Sequence, residues 1–234
     1  MLKEELILKN PLRTLKPGPG DGVPDHRLGL VMARAGVGKT AILVQIAMDC
    51  MLRGYKVLHV SIGAGLEKAK VWYDDVFKTM TAGGKHDETV ALEEEIMRNR
   101  MIMTFKEASF SRPKLEERLN DLVYQNIFRP DCIVVDGFDF THADQEAIND
   151  IRELMTVMNL HVWFSAVCHR DDTRMSVGGV PAPCHNVDDL FDTVIILQPQ
   201  DETIKLDIVK DCDGCGEPGQ VLNLDPATMM VRKS

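Results

Sequence analysis

From Lys39 to about Arg53, "KTAILVQIAMDCMLR", apolar residues recur at helical spacing, and Gly54 follows as a C-terminal stop. The short apolar run before it, "HRLGLVMA", predicts a strand, and "KVLHVSI" (Lys56 to Ile62) predicts the next. Helical spacing recurs from Leu66 to about Met80 and from Glu88 to about Arg100. A strand is expected at Met101 to Lys106, then a helix from Pro113 to about Tyr124, with proline near its start. "DCIVVDGF" reads as a buried strand, "ADQEAINDIRELMTVMN" as a helix and "HVWFSAVCH" as a strand. After a polar, proline-bearing loop from Arg170 to about Asp188 come "TVIILQP", "ETIKLDIVK", "QVLNLD" and "MMVRK", expected to form terminal antiparallel hairpins.

Strands that are apolar almost throughout, alternating with helices, imply an α/β fold: a mainly parallel sheet with helices on both faces, hence three layers. The strand-rich end adds an antiparallel β extension. Residues 1–25 carry Pro11, Pro17, Pro19 and Pro24 and are expected to be an extended arm or linker, with residues 26–234 forming one domain.

Composition changes this picture little. A chain of 234 residues can bury roughly 70% of its unfolded surface, so its core requires no metal or disulfide. The formal charge of −9 argues against a broad basic face for duplex nucleic acid, though not against a local basic channel. No apolar run approaches the roughly 18 residues of a membrane span, so no membrane partner is expected. The N-terminus lacks a signal-peptide pattern, and a cytoplasmic location is expected. There the six cysteines are expected to stay reduced.

The chemistry concentrates in "ARAGVGKT", Ala33 to Thr40, which lies after a predicted strand and opens a predicted helix, the setting of a P-loop (the Walker A motif). Gly36 and Gly38 allow backbone shapes closed to other residues, so successive N–H groups can turn inward on an anion beside the helix N-terminus. Arg34, Ala35, Gly36, Val37, Gly38, Lys39, Thr40 and Ala41 are the expected nucleotide-binding residues. Lys39 would reach the β- and γ-phosphates and Thr40 would bind Mg2+. The usual pattern begins with glycine; Ala33 stands there instead. "CIVVD" supplies a second part, a Walker B-like strand ending in Asp136. It is expected to lie next to the P-loop strand and to hold Mg2+ with Thr40.

Together these motifs resemble the RecA-type P-loop ATPase superfamily, and within it the branch of the KaiC proteins and the DnaB-type replicative helicases. The likeness spans about Leu28 to Val231. It implies a RecA-like sandwich that binds ATP and Mg2+. "FSAVCHR" resembles a strand with a polar residue facing the γ-phosphate, which makes His169 a candidate catalytic sensor beside Lys39. The closing segment "IVKDCDGCGEPGQVLNLDPATMMV" resembles the family's last hairpin.

Two departures bear on activity. The resemblance implies a water-activating glutamate after the second strand, but Gly63 stands there; Glu67, four residues on, and Asp139 are the candidate substitutes. It also implies a Lys-x-Arg pair whose arginine reaches a neighbouring subunit; Lys210 is present, but Cys212 takes the second place. Both departures together imply a nucleotide-dependent switch or scaffold with weak hydrolysis. The alternative is a competent ring-forming ATPase, helicase- or loader-like, acting on single-stranded nucleic acid. A third reading is an interaction module with a vestigial loop. A homo-oligomeric ring follows from the resemblance, with a monomer or dimer left open.

Other motifs weigh less. Cys212 and Cys215 form half a zinc motif that Cys168–His169 and Cys184–His185 could complete, or else a glycine turn with incidental thiols. Trp72 and Tyr73 could cover a base, though interior packing is the commoner use of Trp72. "EEE" at Glu93 to Glu95 reads as a solvated helix face. Met229 and Met230 read as gap fillers or partner contacts.

Overall fold

The strand β1 (Arg27–Ala33) is buried on both faces, as a continuous apolar run demands of an interior strand. It belongs to a computed structural model that describes residues 2–15, 18–19, 27–143, 145–211 and 221–233. Among these residues α1 (Leu2–Lys9) precedes β1, which leads into α2 (Lys39–Leu52), β2 (Val57–Ile62), α3 (Leu66–Met80), α4 (His86–Arg98) and β3 (Arg100–Phe105). Then follow α5 (Arg112–Tyr124), β4 (Cys132–Asp136), α6 (Gln145–Met158) and β5 (His161–Val167). The chain closes with β6 (Thr193–Gln200), β7 (Thr203–Asp211), β8 (Leu222–Leu224) and β9 (Val231–Lys233). The nine strands form one sheet in the order β3-β2-β4-β5-β1-β6-β7-β8-β9. Pairing is parallel from β3 through β6, and antiparallel from β6 to β9.

Strand parity divides the core. Val31, Val57, Val134, Trp163 and Ile195 pack with α2, α3 and α4, whereas Leu30, Leu58, Val135, Phe164 and Val194 pack with α5 and α6. Because successive residues of a strand point to opposite faces, these two clusters cover the two sides of the sheet. The chain is therefore α/β with a mixed, mostly parallel sheet, an arrangement compatible with three layers. The helix α2 is buried nearly all round, so the residues opening it are held from several directions.

Two expectations are corrected. The strand ending in Asp136 is not next to β1: β5 pairs with both β1 and β4 and lies between them. Residues 2–15 of the N-terminal stretch are not extended, for α1 and a 3₁₀ turn at Pro11–Leu15 dock on the core, with Leu12 and Leu15 buried. Its prolines begin at Pro11, so residues 2–9 are free to form a helix whose Leu2 and Leu6 share one face. The Asn10 side chain donates to the fully buried Asp49 of α2 at 2.8 Å, and Arg53 ion-pairs with the same carboxylate at 3.0 Å. Pro17 and Pro24 lie outside the described residues, as do Cys212 and Cys215.

Candidate functional site

Three elements converge on Asp136 at the carboxyl ends of the parallel strands. In β2, Ser61 is in register with Asp136, and in β5, Ser165 shares the sheet face of Trp163, the face covered by α2. The Ser165 hydroxyl donates to Asp136 Oδ1, and the Thr40 hydroxyl donates to Asp136 Oδ2 at 2.7 Å. Both carboxylate oxygens are thus engaged. Neighbouring strands lie about 4.8 Å apart, so β4 stands roughly 10 Å from β1. The gap is closed by α2, which crosses from the end of β1 over β5 to β4.

Between β1 and α2 the loop from Arg34 to Gly38 turns sharply. Gly36 has φ +78° and Gly38 φ +113°, a region that side-chain-bearing residues avoid. A Cβ on Gly38 would also come within 2.6 Å of Leu224 Cδ2, so the glycine lets the C-terminal strands close over the loop. No side chain caps α2, which leaves its first-turn N–H groups without a side-chain acceptor. Arg34, Ala35 and Gly36 are exposed, Val37, Gly38 and Thr40 are half-buried, and Ala41 is buried.

Lys39 folds back over this loop. Its Nζ donates to the carbonyls of Ala33 at 3.2 Å and Arg34 at 3.0 Å, and the residue is only 8% exposed. Burial pushes its ammonium below the ordinary lysine range, while the charge of Asp136 acts in the opposite sense. A buried ammonium, a hydroxyl and a carboxylate therefore lie near the uncapped start of α2. That donor set suits a polyanion together with a divalent cation, with Thr40 and Asp136 as hard oxygen ligands. Among the described residues no cluster of three or more His, Cys, Asp or Glu side chains forms a metal cage of its own.

The remaining candidates are more scattered. Cys168 donates its backbone N–H to Ala33 O at 3.0 Å; burial raises its thiol, with Lys39 and Arg34 pulling the other way. The next residue, His169, is exposed and lines a cavity of about 380 Å³ with Asp172, Arg174 and His185. Glu67 is turned to solvent and paired with Lys70 at 3.0 Å. Asp139 accepts from the Thr141 backbone at 2.9 Å and lies 2.8 Å from His142 Nδ1. With the Thr141 hydroxyl foremost, these partners hold Asp139 at about 2. Lys210 donates to Asp188 O at 2.7 Å.

Tyr73 does not cover a base. It is buried beneath the sheet, its hydroxyl 3.1 Å from His59 Nδ1, and Trp72 packs at the edge of the same cluster. Met229 and Met230 pack on the core as gap fillers. Glu93, Glu94 and Glu95 are exposed, as a solvated helix face should be.

The sequence reading missed Ser165, Ser61 and Glu107. For the two serines a signal existed: each is a small polar residue in a mostly apolar strand, on the parity of the face that α2 covers. No protein-family model matches the chain, and comparison with curated proteins returns no relative. Among the described residues no helix is long and apolar enough to cross a membrane.

Proposed function

We propose that the chain binds ATP with Mg2+ in the loop between β1 and α2, as a RecA/KaiC-like nucleotide-dependent switch or scaffold with slow hydrolysis. The observation that carries this reading is the 2.7 Å hydrogen bond from Thr40 to Asp136, two strands away from β1, beside a lysine folded over an uncapped helix start. Thr40 and Asp136 are the oxygen-bearing residues that would hold a Mg2+ ion there, and the ion would neutralise phosphate charge. Lys39 would leave the Ala33 and Arg34 carbonyls for the β- and γ-phosphates, and the N–H groups of residues 34–41 would surround them. A nucleotide that holds Lys39 extended differs in its contacts from the empty loop, and that difference is what a switch requires.

The test is equilibrium binding of a fluorescent ATP analogue, mant-ATP, with Mg2+, to the wild type and to Lys39→Ala. Saturable binding that the variant loses supports the reading. A wild type that binds no mant-ATP defeats it.

A further inference from the structure

We infer that Glu107 is the carboxylate that orients and deprotonates the water attacking the γ-phosphate, reaching the site across the space left open by Gly63. This rests on the nucleotide-binding reading above and adds the group that would do the chemistry.

Transfer of a phosphoryl group to water requires a side chain that aligns the water and accepts its proton. Several carboxylates stand near the carboxyl ends of the strands, and most are committed. Asp136 has both oxygens engaged, by Thr40 and Ser165. Glu67 is paired with Lys70. Asp139 is held by Thr141 and His142, and Asp172 by Arg174, and both are kept near the bottom of the carboxylate range. Glu107 makes no ion pair and no side-chain hydrogen bond among the described residues.

Its carboxylate lies against Gly63. Glu107 opens a short 3₁₀ turn just after β3, and the Gly63 N–H donates to Phe105 O at 2.9 Å, joining the ends of β2 and β3. Gly63 has φ +77°, and a Cβ there would lie 2.5 Å from Glu107 Oε1 and 3.2 Å from its Cδ. Any side chain at 63 would displace this carboxylate. On the other flank, a Cβ on Gly137 would lie 2.3 Å from Ile62 O. Glu107 thus lies against Gly63, whose neighbour Ile62 touches Gly137, the residue after Asp136. A cavity of about 540 Å³ borders Ile62, Glu107 and Gly137 together with residues that open α5 and line α6, so water can reach the Glu107 side chain.

In the reaction the water oxygen bonds to the γ-phosphorus as the bond from that phosphorus to the β,γ-bridging oxygen breaks. The electron pair leaves on ADP. The water proton passes to the Glu107 carboxylate and from there to solvent, so ATP and water become ADP, phosphate and a proton.

The experiment measures mant-ATP binding and single-turnover phosphate release with Mg2+ for the wild type, Glu107→Gln and Gly63→Ala, with Lys39→Ala as the background. Glu107→Gln changes an exposed turn, and its thermal melt verifies folding. The expected result is unchanged mant-ATP affinity in Glu107→Gln with phosphate release lowered by about 10²-fold or more. Gly63→Ala, which pushes the carboxylate aside, should also slow release while retaining binding. Release by Glu107→Gln at the wild-type rate overturns the assignment. So does a wild type that binds mant-ATP and releases phosphate no faster than Lys39→Ala, although nucleotide binding then stands. A wild type that binds no mant-ATP removes the binding reading and this assignment with it.

Discussion

The Thr40 hydroxyl donates to Asp136 at 2.7 Å although a whole strand, β5, separates the strands that lead to them. Ser165 on that intervening strand holds the other oxygen of the same carboxylate. Asp136 is thus oriented from two sides, by side chains of α2 and β5.

If Asp136 helps to hold a metal, Asp136→Asn should remove the metal dependence of nucleotide binding while leaving the glycine loop intact. Titration of mant-ATP with Mg2+ and with EDTA gives the comparison. The wild type should bind more tightly with Mg2+, and the variant should bind with the same affinity in both. An equal Mg2+ effect in the two proteins would contradict the role given to Asp136.

His59 makes stability sensitive to acid. Burial lowers its pKa from 6.5 to about 4; Asp136 acts against that shift and Arg100 adds to it. Below pH 6.5 the unfolded chain takes up a proton at this histidine, whereas the folded chain does not until about pH 4. Stability is therefore lost as pH falls through that window, by on the order of 3 kcal/mol, and the loss stops below it. Urea denaturation at pH 7 and pH 4.5 should show a smaller acid loss in His59→Gln than in the wild type. Parallel pH profiles would refute this account.

Gln45 ties the helix α2 to the C-terminal strands. Its Nε2 donates to Met229 O at 2.8 Å, and its Oε1 accepts from the Val231 N–H at 2.9 Å. Gln45→Leu leaves both backbone groups without these partners. A stability loss of about 2 kcal/mol or more is expected, since each buried unsatisfied group costs about 1–3 kcal/mol. Chemical denaturation measures it, and a change under about 0.5 kcal/mol, the size of an ordinary surface substitution, would count against the tie.

Gly29 and Trp163 face each other across β1 and β5, and a Cβ at position 29 would come within 2.4 Å of the indole ring. Gly29→Ala should destabilise the fold by about 1–3 kcal/mol or more, because a fully buried ring in a close-packed sheet has little room to shift. A melting temperature equal to the wild type's would show that the ring can move.

Much of the molecule was legible in the residue order. The helix expected at Leu66 to Met80 has those bounds in the structure, and the helix from Lys39 ends within a residue of its expected stop. The strands of the sheet fall where apolar runs place them, and the glycine loop lies between strand and helix as its motif demands. Such features are local: periodicity says which side of an element is apolar, and a glycine says where the backbone can turn. The N-terminal helix was obscured because the prolines of the wider segment masked eight residues that contain none. In the loop after β5, Val180, Ala182, Cys184 and Val187 are buried among polar neighbours, and no periodic signal marks them.

Sequence by itself determined the elements, the alternation that makes an α/β sheet, and the place of the glycine-bearing turn from Ala33 to Thr40. Only the tertiary structure decided that β5 stands between β1 and β4, that Ser165 and Thr40 share one carboxylate, and that Glu107 lies against Gly63. The reason is that strand neighbours are chosen by how helices cover both faces of the whole sheet. Residues 107 and 63 meet because β2 and β3 pair in register, a choice that no single segment carries in its own pattern.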